Sequence, residues 1–334
     1  MSILQAKIAD MLGSYAASLQ LSMLLPAALL VGGLTWLLAP WIVAPNIWFL
    51  IFVSSSAIVV SYFLHAFNMP IIRVLEGYIL ADTLPLKILR RHQLGKYGSH
   101  HARIDIYEDQ ARKIVILESM LQLHHALTEE KSVQLDRWKR TWKDLAAHEK
   151  ERLEERFPDT ADRVLATGLG NAIAAFEMYP QKRYCIDISQ LWTRFVPALL
   201  ETKYSSFIEA EKAILDFFVN TFVVSVAVWM ISLGVFAATG RLDAGSLLLA
   251  LPILAGLVYG GACIAAANWG NTIRSAFDLY RFELAKALRL QMTELRDLEQ
   301  ERYLWQGISE FLATGSTFNF AGFDYTRGAK EQEI

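Results

Sequence analysis

One stretch of the chain restricts its folding more than any other: residues 11–72 contain no Asp, Glu, Lys or Arg. Two further windows, 217–240 and 244–273, also lack these four residue types. A helix needs about 20 apolar residues to cross a bilayer. The first window is therefore long enough for two crossings, and each later window for one. The sequence predicts an all-α integral membrane protein with four transmembrane helices in two hairpins.

Prolines and tryptophans place the predicted spans within these windows. Segment 39–46 contains two prolines, which disfavour a helical conformation at the residue before each of them. Trp36, Trp41 and Trp48 lie around this segment, as aromatic residues do at a membrane interface. We expect the spans at residues 21–38, 47–67, 217–238 and 246–268.

Basic residues flank only one end of each hairpin. Five Lys or Arg residues occur within 73–96 and four within 274–289, whereas Arg241 is the only one in the two turns. Loops on the cytoplasmic side of a membrane carry an excess of Lys and Arg. We therefore expect both termini to be cytoplasmic and the protein to lie in a membrane of the bacterial inner-membrane type.

The chain divides into five predicted parts. Apolar residues recur with helical spacing from Leu4 to Leu19, which favours either an interfacial amphipathic helix over residues 1–20 or a helix that packs on its neighbours. The other parts are a transmembrane hairpin (21–67), a cytoplasmic helical domain (68–216), a second transmembrane hairpin (217–268) and a cytoplasmic helical tail (269–334).

Local signals predict helix ends inside the cytoplasmic domain. Thr128 precedes two glutamates, a pattern typical of a helix N-terminus. Asp159 and Thr160 predict the start of another helix. From about residue 198 no helix-breaking residue interrupts the pattern, so we expect one continuous helix that enters the third span.

Composition argues against several functional classes. Residues 73–216 contain 22 basic and 22 acidic side chains, and this balance argues against nucleic-acid binding. The two cysteines, Cys185 and Cys263, are too few for a disulfide framework or a cysteine metal cluster. The sequence also lacks the common nucleotide-binding, hydrolase and zinc-protease motifs. We therefore expect no enzyme activity, no cofactor and no metal site.

The second span carries the candidate pore-lining residues. Ser54, Ser61 and His65 follow i, i+7, i+11 spacing and predict a polar line on one side of the helix. Alternatively, the serines bond to the backbone or pack between helices, and the phenylalanines face lipid. The bulky members of the candidate set are Phe49, Phe52 and Phe63.

The absence of charged residues from the predicted spans bears on which kinds of transport the protein is able to perform. Proton pumps and ion-coupled transporters hold ionisable groups within the membrane. The four predicted spans contain no Asp, Glu, Lys or Arg, and His65 lies only at the inner edge of the second. This pattern disfavours a pump or coupled transporter and is compatible with a passive pore, which small polar groups or apolar constrictions are able to form, or with a simple anchor.

Two further sets of residues stand out. Gly256, Gly260 and Gly261 predict close packing of the fourth span on another helix. The stretch 168–194 combines two glycines, a proline and several basic residues. It favours either a capped helical corner held by Arg–carboxylate pairs or a contact for a regulator or lipid through Lys182, Arg183 and Arg194.

The order of two spans, a helical block, two spans and a helical tail resembles the layout of the bestrophin anion channels. The resemblance is one of layout and assigns a role to no residue. The sequence predicts a homo-oligomeric passive ion channel or pore in the lipid bilayer, with a cytoplasmic assembly and gating domain. The alternative is a non-conducting membrane scaffold or signalling adaptor for an unidentified cytoplasmic partner.

Overall fold

The computed structural model describes residues 22–38, 47–79, 81–200, 202–288 and 297–315. All regular structure in these residues is helical, and they contain no strand. The helix predicted for residues 1–20 lies outside them. Besides a 3₁₀ turn at Ala161–Arg163, the helices are α1 (Ser22–Leu38), α2 (Ile47–Glu76), α3 (Leu84–Leu123), α4 (Glu129–Arg156), α5 (Gly168–Glu177), α6 (Tyr179–Tyr184), α7 (Ile188–Leu200), α8 (Tyr204–Thr239), α9 (Leu242–Ala287) and α10 (Leu298–Thr314).

Three of these helices are long and apolar enough to cross a membrane. They are α2, α8 and the Gly245–Ala287 part of α9, while α1 is a shorter apolar helix. In lipid every backbone polar group needs an internal partner, which a helix provides. The described part of the chain is therefore all-helical and has the character of a membrane protein, as the charge-free windows predict.

The described residues form two compact units. The first comprises the described parts of 1–72 and 176–334 and contains α1, α8, α9 and most of α2. Its apolar core brings α1, α2 and α8 together. The buried members of this core are Met23, Ala27, Leu37, Leu64, Val224 and Val228.

The second unit spans residues 73–175 and is built on the α3–α4 hairpin. Its core contains Ile104, Leu153, Phe157 and Val164. The Arg90 side chain closes this core by donating to the carbonyl oxygens of residues 164 and 162 at 2.7 and 2.8 Å.

Helix ends agree with the sequence at one predicted position and differ at two. Thr128 caps α4, and its hydroxyl accepts a hydrogen bond from the Lys131 N–H, which confirms that prediction. The helix start predicted at residues 159–160 is wrong, because a 3₁₀ turn follows and α5 begins at Gly168.

A continuous helix enters the third span as predicted, but it begins at Tyr204 and not near residue 198. The helical conformation is interrupted between α7 and α8, near Thr202. The Thr202 hydroxyl donates to the Leu199 carbonyl and accepts from the Tyr204 N–H at 2.7 and 3.2 Å. Threonine side chains compete in this way for backbone groups and so interrupt a helix.

Candidate functional site

Polar side chains on the outside of α2 form the candidate functional site. Ser54 and His65 are exposed, and the half-buried Ser61 donates its hydroxyl to the Ile58 carbonyl at 2.7 Å. About three helical turns separate Ser54 from His65, so both lie on one side of the helix. Only 11% of the most apolar window of α2 is buried within the chain. This side is therefore available to water, lipid or another subunit.

The predicted phenylalanines occupy other parts of α2. Phe52 and Phe63 are 70% and 60% exposed, and Phe49 is half-buried. Successive helical residues are about 100° apart, which places Phe63 about 180° around the helix from Ser54. Both predicted sets thus reach the outside of the chain. One α2 helix cannot direct both sets to the same path.

A buried amide contact lies beside the polar line. Asn220 in α8 donates to Asn68 Oδ1 in α2 at 3.4 Å and to the Met23 sulfur in α1 at 3.0 Å. Asn220 and Asn68 are almost completely buried. Because a buried amide is costly without partners, this contact favours one mutual arrangement of the three helices.

Asp216 is a second buried polar group, one helical turn before Asn220. Lys212 Nζ donates to its Oδ2 at 2.7 Å. Among the described residues, Oδ1 of Asp216 and Oδ1 of Asn220 have no hydrogen-bond partner. Sequence reasoning overlooked both residues, although their i, i+4 spacing at the edge of an apolar window was a signal that pointed to them.

The glycines predicted for helix packing differ in their surroundings. A Cβ atom on Gly261 would lie 2.6 Å from the Phe218 ring of α8, so α8 and α9 approach closely at this glycine. Hypothetical Cβ atoms on Gly256 and Gly260 would meet nothing within 4 Å. Those two positions remain open for contact with lipid or another chain.

A tyrosine–aspartate cluster holds α6 against α9. The Tyr179 hydroxyl lies 2.9 and 3.0 Å from the two carboxylate oxygens of Asp278, and the Tyr184 hydroxyl donates to Oδ1 at 2.6 Å. The Arg281 guanidinium lies over the Tyr184 ring, 4.4 Å from its centroid. The cluster thus fastens the corner at 179–184 to a helix that extends from a candidate span.

A buried ion pair joins α9 to α10. Arg281 Nε donates to Glu301 Oε1 at 2.6 Å, and the Trp305 indole N–H donates to the same oxygen at 3.3 Å. The side chains of Arg281 and Glu301 are 14% and 8% exposed. Sequence reasoning did not find this pair, because its partners belong to different helices and neither belongs to a recognisable motif.

The predicted regulator or lipid contacts lie on the surface near these clusters. Lys182, Arg183 and Arg194 are all exposed. The Lys182 carbonyl accepts a hydrogen bond from Arg302 at 3.4 Å, and Arg194 donates to the Gln190 carbonyl one turn earlier. Binding of a regulator or lipid by these three side chains stays a prediction.

Comparisons with protein-family models, curated proteins and solved structures found no match. The function must therefore be inferred from the geometry of the chain itself. Within the described ranges, no group of three or more His, Cys, Asp or Glu residues is arranged to hold a metal ion. The polar groups that do come together form hydrogen-bonded clusters and an exposed line on α2.

The tyrosine–aspartate cluster makes the chain sensitive to alkaline pH. Burial, the hydrogen bond to Asp278 and its negative charge all raise the pKa of Tyr179. Burial followed by the same hydrogen bond raises the pKa of Tyr184. The protonated tyrosines therefore contribute to the free energy of unfolding. This contribution is complete below pH of about 10, the pKa of tyrosine in the unfolded chain, and it is lost as the pH rises through the higher pKa of the folded chain.

We expect an absorbance titration of the folded chain to show tyrosines that ionise later than free tyrosine. Replacing both Tyr179 and Tyr184 by Phe should remove part of this late fraction. The measurement is the ultraviolet absorbance of tyrosinate, which follows ionisation of the phenol at pH of about 10 and above. A late fraction that is unchanged in the double variant would contradict the assignment.

Proposed function

We propose that this protein is a four-span, homo-oligomeric passive ion pore of a bacterial inner membrane, with cytoplasmic termini. In this proposal α1 is the additional span, and the Ser54–Ser61–His65 side of α2 lines the path. At about 1.5 Å per residue, the 17 residues of α1 extend about 25 Å, close to the hydrocarbon thickness of a bilayer.

The observation that carries the proposal is the exposure of Ser54 and His65 on one side of a largely apolar helix. Polar groups that face hydrocarbon are unfavourable, and polar residues in spans usually face the protein interior or a water-filled cavity. Within the part of a single chain that the structure describes, these two residues have no such environment. A ring of chains with α2 at its centre supplies one.

The passive character follows from the charges along α2. Between Ile47 and Ile72 this helix has no Asp, Glu, Lys or Arg, so it offers no carboxylate or ammonium group to couple ions or protons to a conformational cycle. Hydroxyl and imidazole groups are sufficient to hydrate a permeation path, and neighbouring apolar side chains are able to gate it by dewetting.

Cysteine substitution on opposite sides of α2 tests the proposal. The background is a variant in which Cys185 and Cys263 are replaced by Ala. When Ser54→Cys is added to it, we expect a negatively charged methanethiosulfonate reagent to reduce the single-channel current. The Phe63→Cys variant is the matched control, because Phe63 is similarly exposed but lies on the other side of the helix. Its current should be unchanged.

The measurement is ion current through the purified chain in planar bilayers, together with the mass of the oligomer in mild detergent. A reduction of current with Phe63→Cys but not with Ser54→Cys would contradict the assignment of the lining face. A monomer that passes no current at any tested voltage, pH or membrane tension would refute the pore and favour a non-conducting scaffold.

A further inference from the structure

A groove of about 590 Å³ lies between α3 and α4 in the second unit. Each helix contributes four residues at i, i+3, i+4 and i+7, so one side of each helix faces the groove. Small alanines occupy the middle of the lining and leave the space open. The lining residues are Glu108, Ala111, Arg112 and Val115 from α3, with Lys143, Ala146, Ala147 and Lys150 from α4.

The charged residues of the groove are mostly basic. Arg112, Lys143 and Lys150 oppose a single acid, Glu108, which leaves the lining with two excess positive charges. Within the described ranges the side chains of Lys143 and Lys150 make no ion pair or hydrogen bond, while the positive charge of Arg112 helps to lower the pKa of Asp109 outside the lining. By contrast, the neighbouring Lys113 is paired with an aspartate on its own helix at 2.7 Å.

We propose that this groove binds a phosphorylated ligand that also has an apolar or aromatic portion. Two excess positive charges match a doubly negative phosphoryl group. The Arg112 guanidinium is suited to bidentate contact with phosphate oxygens, and the two lysines add mobile point charges. The alanine floor accepts the apolar portion, as in small-molecule pockets that combine apolar walls with a few polar groups.

The size of the groove sets the scale of the ligand. Pockets for small molecules commonly measure about 300–1,000 Å³, and this groove falls within that range. The phosphoryl group could come from a soluble nucleotide or from a phospholipid headgroup. A phosphomonoester from either source presents the same chemistry to the three cations, so the experiment uses a probe for each source.

The test measures equilibrium binding to the purified full chain in a non-ionic detergent by calorimetry. One arm uses ATP, and the other uses dihexanoylphosphatidic acid below its critical micelle concentration, because its phosphomonoester also carries up to two negative charges. We expect one of these probes to bind, and the Arg112→Gln, Lys143→Gln, Lys150→Gln triple variant to weaken that binding at least about tenfold. The assay does not depend on whether the chain conducts ions.

A matched triple variant separates the groove from general electrostatics. Lys96, Arg137 and Arg152 are exposed basic residues of the same two helices outside the lining, and their change to Gln removes the same charge. This control should bind like the unmodified chain. Equal weakening in both triple variants, or no binding of either probe to the unmodified chain at millimolar concentration, would overturn the proposal.

A third variant tests the apolar part of the site without changing charge. Ala147 is exposed and lines the groove, so Ala147→Leu fills space while keeping a good helix former. We expect it to weaken binding of the probe that the unmodified chain binds, with the helical circular dichroism unchanged. Undiminished binding in this variant would also overturn the proposal, because the ligand would then not occupy the groove.

Discussion

Replacing Gly170 by alanine is expected to destabilise the chain by about 3 kcal/mol, through overpacking that cannot relax. A Cβ atom at this position would overlap the Glu76 carbonyl oxygen and lie 2.9 Å from its carbonyl carbon. The obstacle is backbone, so no rotamer change can relieve it. Thr167 holds the two segments together, because its hydroxyl donates to the Glu76 carbonyl at 3.1 Å and accepts from the Gly170 N–H at 2.9 Å.

Gly98→Ala is the matched control for this experiment. Gly98 lies inside α3, and a Cβ atom there would meet nothing within 4 Å. Alanine is preferred over glycine in a helix interior by about 1 kcal/mol, so this variant should be slightly more stable. Thermal unfolding of the detergent-solubilised chain gives both differences. Equal stability of the Gly170→Ala variant and the unmodified chain would show that α5 does not approach Glu76 so closely.

Much of the fold follows from local sequence signals. Each of the candidate spans α2, α8 and α9 overlaps a window that lacks charged residues. Such windows are visible in the sequence because the apolar core of a bilayer requires about 20 apolar residues per spanning helix. The cap at Thr128 was likewise predictable, since an N-cap side chain contacts residues only two or three positions away. These features need no knowledge of tertiary contacts.

The contacts between distant segments could not be predicted in the same way. Tyr179 and Asp278 are 99 positions apart, and Asn68 and Asn220 are 152 positions apart. Helical periodicity shows which side of a helix is polar but does not identify its partner. The requirement for glycine at 170 was hidden for the same reason, because the obstructing carbonyl belongs to a different helix.

The prediction for the polar line on α2 was partly accessible to sequence analysis. Its spacing placed Ser54 and His65 on one side of a helix, as the structure has them. The same spacing places Phe63 elsewhere on the helix, but the sequence did not show that the side with Ser54 and His65 lies outside the chain's own core. Exposure depends on which face of α2 packs against α1 and α8, and that choice is made by buried residues such as Leu64.

Removing the carboxylate of Glu301 is expected to have the largest effect in the first unit. The Glu301→Leu variant leaves the enclosed Arg281 guanidinium without its main partner and the buried Trp305 indole N–H without an acceptor. Breaking a buried ion pair from one side costs about 3–5 kcal/mol, because the remaining charge stays desolvated. Chemical denaturation of the full chain in detergent measures this loss.

The Arg281→Met, Glu301→Leu double variant separates the cost of a stranded charge from the value of the pair. Replacing both partners by apolar residues is often nearly neutral, so the double variant should be more stable than Glu301→Leu alone. Glu283→Leu is the control. Glu283 pairs with Lys286 at the surface of α9, the helix that contains Arg281, and such surface pairs contribute about 0–1 kcal/mol. If Glu283→Leu and Glu301→Leu lose equal stability, or if the double variant is the least stable, the pair is not enclosed between α9 and α10. A large loss of stability in Glu301→Leu that Arg281→Met relieves requires that the pair is enclosed. The contact between α10 and α9 then depends on both charges.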